Sequence, residues 1–199
     1  MPRSRYPIVA LACVAAFGPV AGAAQTLDTA GATSCAVRGY ATDTDPRGTN
    51  VRAAPRADAP IIGHLAPPTK IDANTETGVE FDIVGSKDGW LMIRNGSDDG
   101  LTFDAAHRAD GRGWVSAKLV GTQLRLPAFR SAPRRDAPEI AHFQGDSWGP
   151  DSAGVTAIHS CQGQYIEVTA GPPDGKTLRG WSYLPCSLQL TTCDGGVTE

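Results

Sequence analysis

NVRAAPRADAPIIGHL, residues 50–65, returns 78 positions later as AFRSAPRRDAPEIAHF, residues 128–143. Nine of the sixteen aligned positions are identical and none needs a gap: Arg52 with Arg130, Ala54 with Ala132, Pro55 with Pro133, Arg56 with Arg134, Asp58 with Asp136, Ala59 with Ala137, Pro60 with Pro138, Ile62 with Ile140 and His64 with His142. Composition alone does not supply such a run, so the chain reads as two copies of one unit. Each copy sets a Pro- and Asp-rich turn beside a short apolar run, the punctuation of strands and hairpins rather than of helices.

Outward from this stretch the order of features repeats as well. Gly89-Trp90-Leu91-Met92-Ile93 parallels Gln164-Tyr165-Ile166-Glu167-Val168 at an offset of 75, and Gly113-Trp114-Val115-Ser116 parallels Gly180-Trp181-Ser182-Tyr183 at 67. The shrinking offset gives the second copy shorter loops, where length changes are tolerated. Apolar runs stay short, are bounded by Gly, Pro, Asp and Asn, and lack helical periodicity. Strands are expected at 36–42, 49–52, 60–64, 81–86, 90–94 and 112–116, with counterparts in the second copy. Units of roughly sixty to eighty residues have marginal cores, a physical reason for disulfides and for packing the two together.

Residues 1–23 read as an export signal: Arg3 and Arg5 lead, Tyr6 to Val20 are mostly apolar, and Ala21-Gly22-Ala23 offers the small residues for cleavage after Ala23. The apolar run is short for a membrane span and is broken by Gly18-Pro19, which argues against a stable membrane anchor. Lipidation at Cys13 is disfavoured because Leu11 stands one place too late and apolar sequence continues beyond the cysteine. The 176 residues left carry 16 Lys and Arg against 21 Asp and Glu, a net charge of −5. With no basic run interleaved with aromatics, nucleic acid is not an expected partner. The expected location is the periplasm or the exterior.

Four cysteines remain: Cys35, Cys161, Cys186 and Cys193. An even number in an exported chain reads as two disulfides, whereas a metal site would want Cys or His pairs at short spacing. Three pairings are open. The repeat offsets set Cys161 opposite Ser86 and Cys186 opposite Leu119, both inside the second unit, which favours Cys161 with Cys186 and Cys35 with Cys193. Cys186 with Cys193 would nonetheless close easily.

Asn50-Val51-Arg52, a turn ending at Pro55, the run Ile61 to Leu65, then Asp88-Gly89-Trp90 and Gly113-Trp114-Val115, in that order, resemble the bacterial SH3 (SH3b) family. The second copy follows through Phe129-Arg130, Pro133, Ile140, Tyr165 and Gly180-Trp181, so the resemblance covers about residues 36–188. It implies an all-β fold of two small SH3-like β-barrels in tandem, here stapled by disulfides. It also implies binding, since SH3b units accompany cell-wall enzymes and envelope proteins and some hold peptidoglycan peptides. The chain departs from the family in having Ala54 and Ala132 before the turn prolines, where glycine is common. A long polar loop from Asn95 to Gly111 is a second departure, and no family ligand contact transfers to it.

Catalytic residues, metal ligands and cofactors are not expected. A cell-wall hydrolase would need a further domain with a free cysteine and histidine or a zinc centre, and the residues outside the repeats leave no room for one. His64 and His142 share a repeat position and read as structural or solvent-facing; His107 reads as solvated in the polar loop; His159 stands beside Cys161, itself expected in a disulfide. Asp43-Thr44-Asp45-Pro46-Arg47-Gly48 fails as a calcium loop, since Arg47 takes a ligand place and Ala54 stands where a bidentate Glu is needed. It reads as a turn.

Trp90, Trp114, Tyr165 and Trp181 are expected to pack the barrels. Trp148, between Gly145 and Gly149-Pro150, and Tyr183 are the candidate binding residues, together with the 95–111 loop. The chain thus divides into a signal (1–23), a leader (24–34), unit 1 (35–120), unit 2 (121–193) and a tail (194–199). The expected function is a non-catalytic envelope binding module for a peptidoglycan peptide or an envelope protein; the alternative is an exported inhibitor or immunity-type protein acting on a secreted enzyme. Because the first copy keeps the family pattern and the long loop while the second holds three cysteines, recognition is assigned to the first and stability to the second.

Overall fold

The computed structural model describes residues 26–143, 153–172, 175–191 and 193. The export signal, Trp148 and the 194–199 tail lie outside these residues. The fold is all-β. Its first strands are β1 (Thr33–Ala41), β2 (Thr49–Arg52), β3 (Ile61–Leu65), β4 (Thr69–Lys70) and β5 (Glu76–Thr77). Next come β6 (Glu80–Lys87), β7 (Trp90–Arg94), β8 (Leu101–Phe103), β9 (Gly113–Ser116) and β10 (Val120–Gly121). The remaining strands are β11 (Ala128–Arg130), β12 (Glu139–His142), β13 (Gly154–Gln162), β14 (Tyr165–Gly171) and β15 (Leu178–Tyr183).

Two sheets hold nearly all of these strands, and neither closes on itself. The larger runs β10-β1-β6-β7-β9-β2-β3-β8, the smaller β12-β11-β15-β14-β13, and β4 with β5 forms a separate ribbon. Within the larger sheet the series β3-β2-β9-β7-β6 has the same order as the whole of the smaller one. The register agrees too. Trp114 faces Met92 on β7 and Arg52 on β2, as Trp181 faces Glu167 on β14 and Arg130 on β11. A bulge falls between Ile83 and Gly85 on β6 and between Ile158 and Ser160 on β13.

The Pro- and Asp-rich turns that connect β2 to β3 and β11 to β12 close with matching hydrogen bonds. Ala53 N–H donates to Pro60 O and Ser131 N–H to Pro138 O, both at 2.9 Å. Arg52 reaches across its turn to Ala59 O at 2.7 Å, and Arg130 across its own to Ala137 O at 3.0 Å. The β6–β7 hairpin is turned by Asp88-Gly89 with φ of 49° and 79°, the left-handed pair that a two-residue loop matched to strand twist requires.

Alternation of inward and outward residues follows from the pleat: along β1, Cys35, Val37, Gly39 and Ala41 point in. Val51, Leu65, Phe81, Ile83, Leu91, Ile93 and Val115 fill the core of the larger sheet, and Phe129, Ile166 and Val168 that of the smaller. Phe129 meets Phe143 edge-on at 5.0 Å between ring centres. The two cores form one cluster, which includes Cys35, Leu124 and Cys161.

The expected disulfide pairing is corrected. Cys35 bonds Cys161, and Cys186 bonds Cys193. Cys161 sits on β13 where Ser86 sits on β6, but these strands lie against each other, so matching positions meet between the sheets instead of within one. Ser86 Oγ donates to Cys161 O at 2.9 Å and accepts from Cys161 N–H at 3.0 Å. Beside the bridge Ala36 N–H donates to Gly163 O at 2.7 Å and Gly163 N–H to Ser34 O at 2.9 Å, making β1 the strand that ties the sheets together.

Candidate binding surface

The outer face of β7, β9 and β2 is covered by the chain's own leader. Asp28 donates its N–H to Ala53 O at 2.8 Å, and its carbonyl accepts the indole N–H of Trp114, also at 2.8 Å. Lys87 Nζ holds the next turn through Ala30 O at 2.7 Å. Beneath this clasp Trp114 has no exposed surface and Met92, Ala53 and Ala54 are buried. Residues 24–34, read from sequence as a mere leader, therefore complete the first sheet from residue 26 onward.

The 95–111 segment covers a second part of the same sheet. Within it β8 pairs along β3 and the turn after it folds back on itself, with His107 N–H and Nδ1 both bonded to Asp104. His107 is buried rather than solvated, and its bond to Asp104 holds that carboxyl below its ordinary value. Asp104 N–H in turn caps Ile62 O at 2.9 Å, and Ile62 is only 2% exposed.

Among the described residues the matching face of the smaller sheet carries neither cover. Trp181 is half-buried and its indole N–H makes no hydrogen bond among the described residues. Ser131, at the place of Ala53, is exposed, and Ile140, at the place of Ile62, is 51% exposed. Chemistry changes with exposure: Met92 is replaced by Glu167, which takes two guanidinium bonds from Arg179 at 2.9 and 3.0 Å and the hydroxyl of Ser160 at 3.0 Å. Burial pushes the Glu167 carboxyl up, but these bonds outweigh it and leave it below its usual range. His159 occupies the bulge and bonds Thr169 Oγ1 at 2.8 Å; partial burial and the nearby Arg179 lower its pKa.

Of the sequence-selected residues, Tyr183 lies on β15, its ring tilted by 50° against that of Tyr165 with centres 5.1 Å apart, and its hydroxyl donating to Gln164 at 3.2 Å. It stands two residues beyond Trp181, while the 95–111 loop belongs to the far edge of the other sheet. Tyr165 is buried as expected of a packing aromatic, whereas Trp90 and Trp181 are only half-buried. Trp181 is the residue that sequence reasoning misassigned: as the counterpart of Trp114 it was expected in the core, and nothing in its flanking residues announces that the cover is missing.

No group of three or more His, Cys, Asp or Glu side chains among the described residues is arranged to hold a metal. The Asp43–Gly48 turn uses its carboxylates internally: Asp43 accepts from Asp45 N–H and Thr49 Oγ1, and Arg47 holds the Asp45 carboxyl down to about 2. A hollow of about 360 Å³ lies where the sheets meet, lined by Tyr40, Glu76, Thr122, Gln123 and Gln189 among others, and partial burial raises the Tyr40 phenol. Among the described residues no helix is long and apolar enough to cross a membrane. Comparison with protein-family models, with characterised proteins and with solved structures finds no match.

Proposed function

We propose that the protein is an exported, non-catalytic binding module of the cell envelope, built from two SH3b-like units. Its ligand is a cell-wall peptide or an envelope protein. The shared strand order and register of the two sheets supports the duplicated unit, and two disulfides suit an oxidising compartment. The observation that carries the binding role is the contrast between equivalent faces: one is closed by the leader, and on the other Trp181 is half-buried and Ser131 exposed, with no such clasp among the described residues. A half-exposed tryptophan whose indole N–H has no hydrogen-bond partner among the described residues offers a ring and a donor to a ligand.

This reading moves recognition from the first unit to the second. The long loop stabilises the first sheet, and the shorter loops of the second copy expose its face. The test is retention of the mature protein on purified peptidoglycan and on detergent-solubilised envelope proteins at moderate salt. Retention on either matrix supports the module. A stoichiometric complex with one secreted hydrolase that abolishes its activity would favour the inhibitor alternative instead, and no retention with no complex would remove the binding role.

A further inference from the structure

The leader offers an internal template for what the open face would hold. On the first sheet one extended residue, Asp28, completes two bonds at once: its N–H to the carbonyl of Ala53 and its C=O to the indole of Trp114. The second sheet keeps the machinery for the same clasp, the Ser131 carbonyl and the Trp181 indole N–H, on strands paired in the same register through Arg130 and Trp181. A main-chain clasp of this kind recognises extended backbone with little dependence on side chains, as in strand addition.

Side-chain charge plays no part in the clasp. The Asp28 carboxylate is spent on its own turn, Oδ1 accepting from Ala30 N–H at 3.0 Å, and only the Asp28 main chain bonds the sheet. We infer that the Trp181 face binds an extended L-peptide segment of a partner protein through its main chain, seated as Asp28 is seated on Trp114. This rests on the binding reading above and deepens it by naming the site and the ligand class.

The experiment uses the full mature protein, 15N-labelled, titrated with a capped peptide of the leader sequence Thr-Leu-Asp-Thr-Ala-Gly-Ala. The Trp181 indole N–H resonance is expected to shift while that of Trp114 stays fixed. Trp181→Phe, which keeps a ring but removes the donor, should weaken binding about tenfold. A peptide N-methylated at the Asp amide, which removes the main-chain donor, should bind several-fold more weakly, whereas a peptide with Asn for Asp should bind equally well. Unchanged dispersion of the remaining amide spectrum shows that the variant is folded, and the N-methylated peptide gives a second reading if Trp181→Phe unfolds. No shift at Trp181, or equal affinity for the N-methylated and unmodified peptides, overturns the inference. If the protein is nevertheless retained on peptidoglycan or envelope proteins with Trp181→Phe unaffected, the module stands and this site does not; if neither peptide nor matrix binds, both fall.

Discussion

Arg52 and Arg130 each hold a turn by a guanidinium bond to a carbonyl seven residues on. Replacing Arg52 by Ala should cost about 1–2 kcal/mol, seen as a lower urea midpoint with an unchanged slope, because a charged donor is lost and a buried carbonyl left without it. The identity of the two arginines was legible in the sequence, but their purpose was not, since a side chain's reach across a turn depends on where the turn brings its far end. Ser182 shows the opposite. It takes the place of Val115 in the core, has no exposed surface, and its hydroxyl finds no partner among the described residues. Ser182→Ala should therefore raise stability by about 1 kcal/mol in the same assay. His159 makes stability depend on pH. Its folded pKa lies below the ordinary 6.5, so the unfolded chain takes up the proton first and stability falls as pH drops through 6.5 toward the folded value. Urea midpoints measured from pH 8 to pH 5 should fall less for His159→Gln than for the parent.

At the scale of elements, the strands were largely readable because short β-branched and aromatic runs between Gly, Pro and Asp have few alternatives. β2 and β7 coincide with the expected ranges, β9 differs by one residue at one end, and β6 by one residue at each end. β8 was missed because 95–111 is polar and three of its residues complete an edge with little apolar signal. The cysteine pairing was misread for a different reason: repeat alignment places residues within a unit and is silent on which strands of the two units abut. Since β1 crosses to β13, Cys35–Cys161 closes a separation of 126 residues and Cys186–Cys193 one of 7. Chain entropy then predicts a loss of about 5 kcal/mol for the Cys35→Ser, Cys161→Ser pair and about 2–3 kcal/mol for Cys186→Ser, Cys193→Ser. Thermal unfolding of the two double variants should show that order, and the reverse order would contradict the role given to β1.

For the molecule as a whole, two sheets of matching register are made unequal by what lies on them. The leader and the 95–111 segment bury one outer face, and their absence from the other leaves Trp181, Ser131 and Ile140 open. The identical residues of the repeat do not announce this asymmetry; Glu167 for Met92 and Ser131 for Ala53 hint at it, and the covering segments that produce it lie outside the repeat. The decisive quantity is hydrogen exchange at the indole N–H groups of Trp114 and Trp181. In the free protein the account predicts strong protection at Trp114, where the proton is buried and bonded to Asp28, and rapid exchange at Trp181, with protection appearing at Trp181 once the envelope ligand is bound. Equal protection of the two indoles in the free protein, or an unchanged Trp181 rate in the bound one, would contradict it.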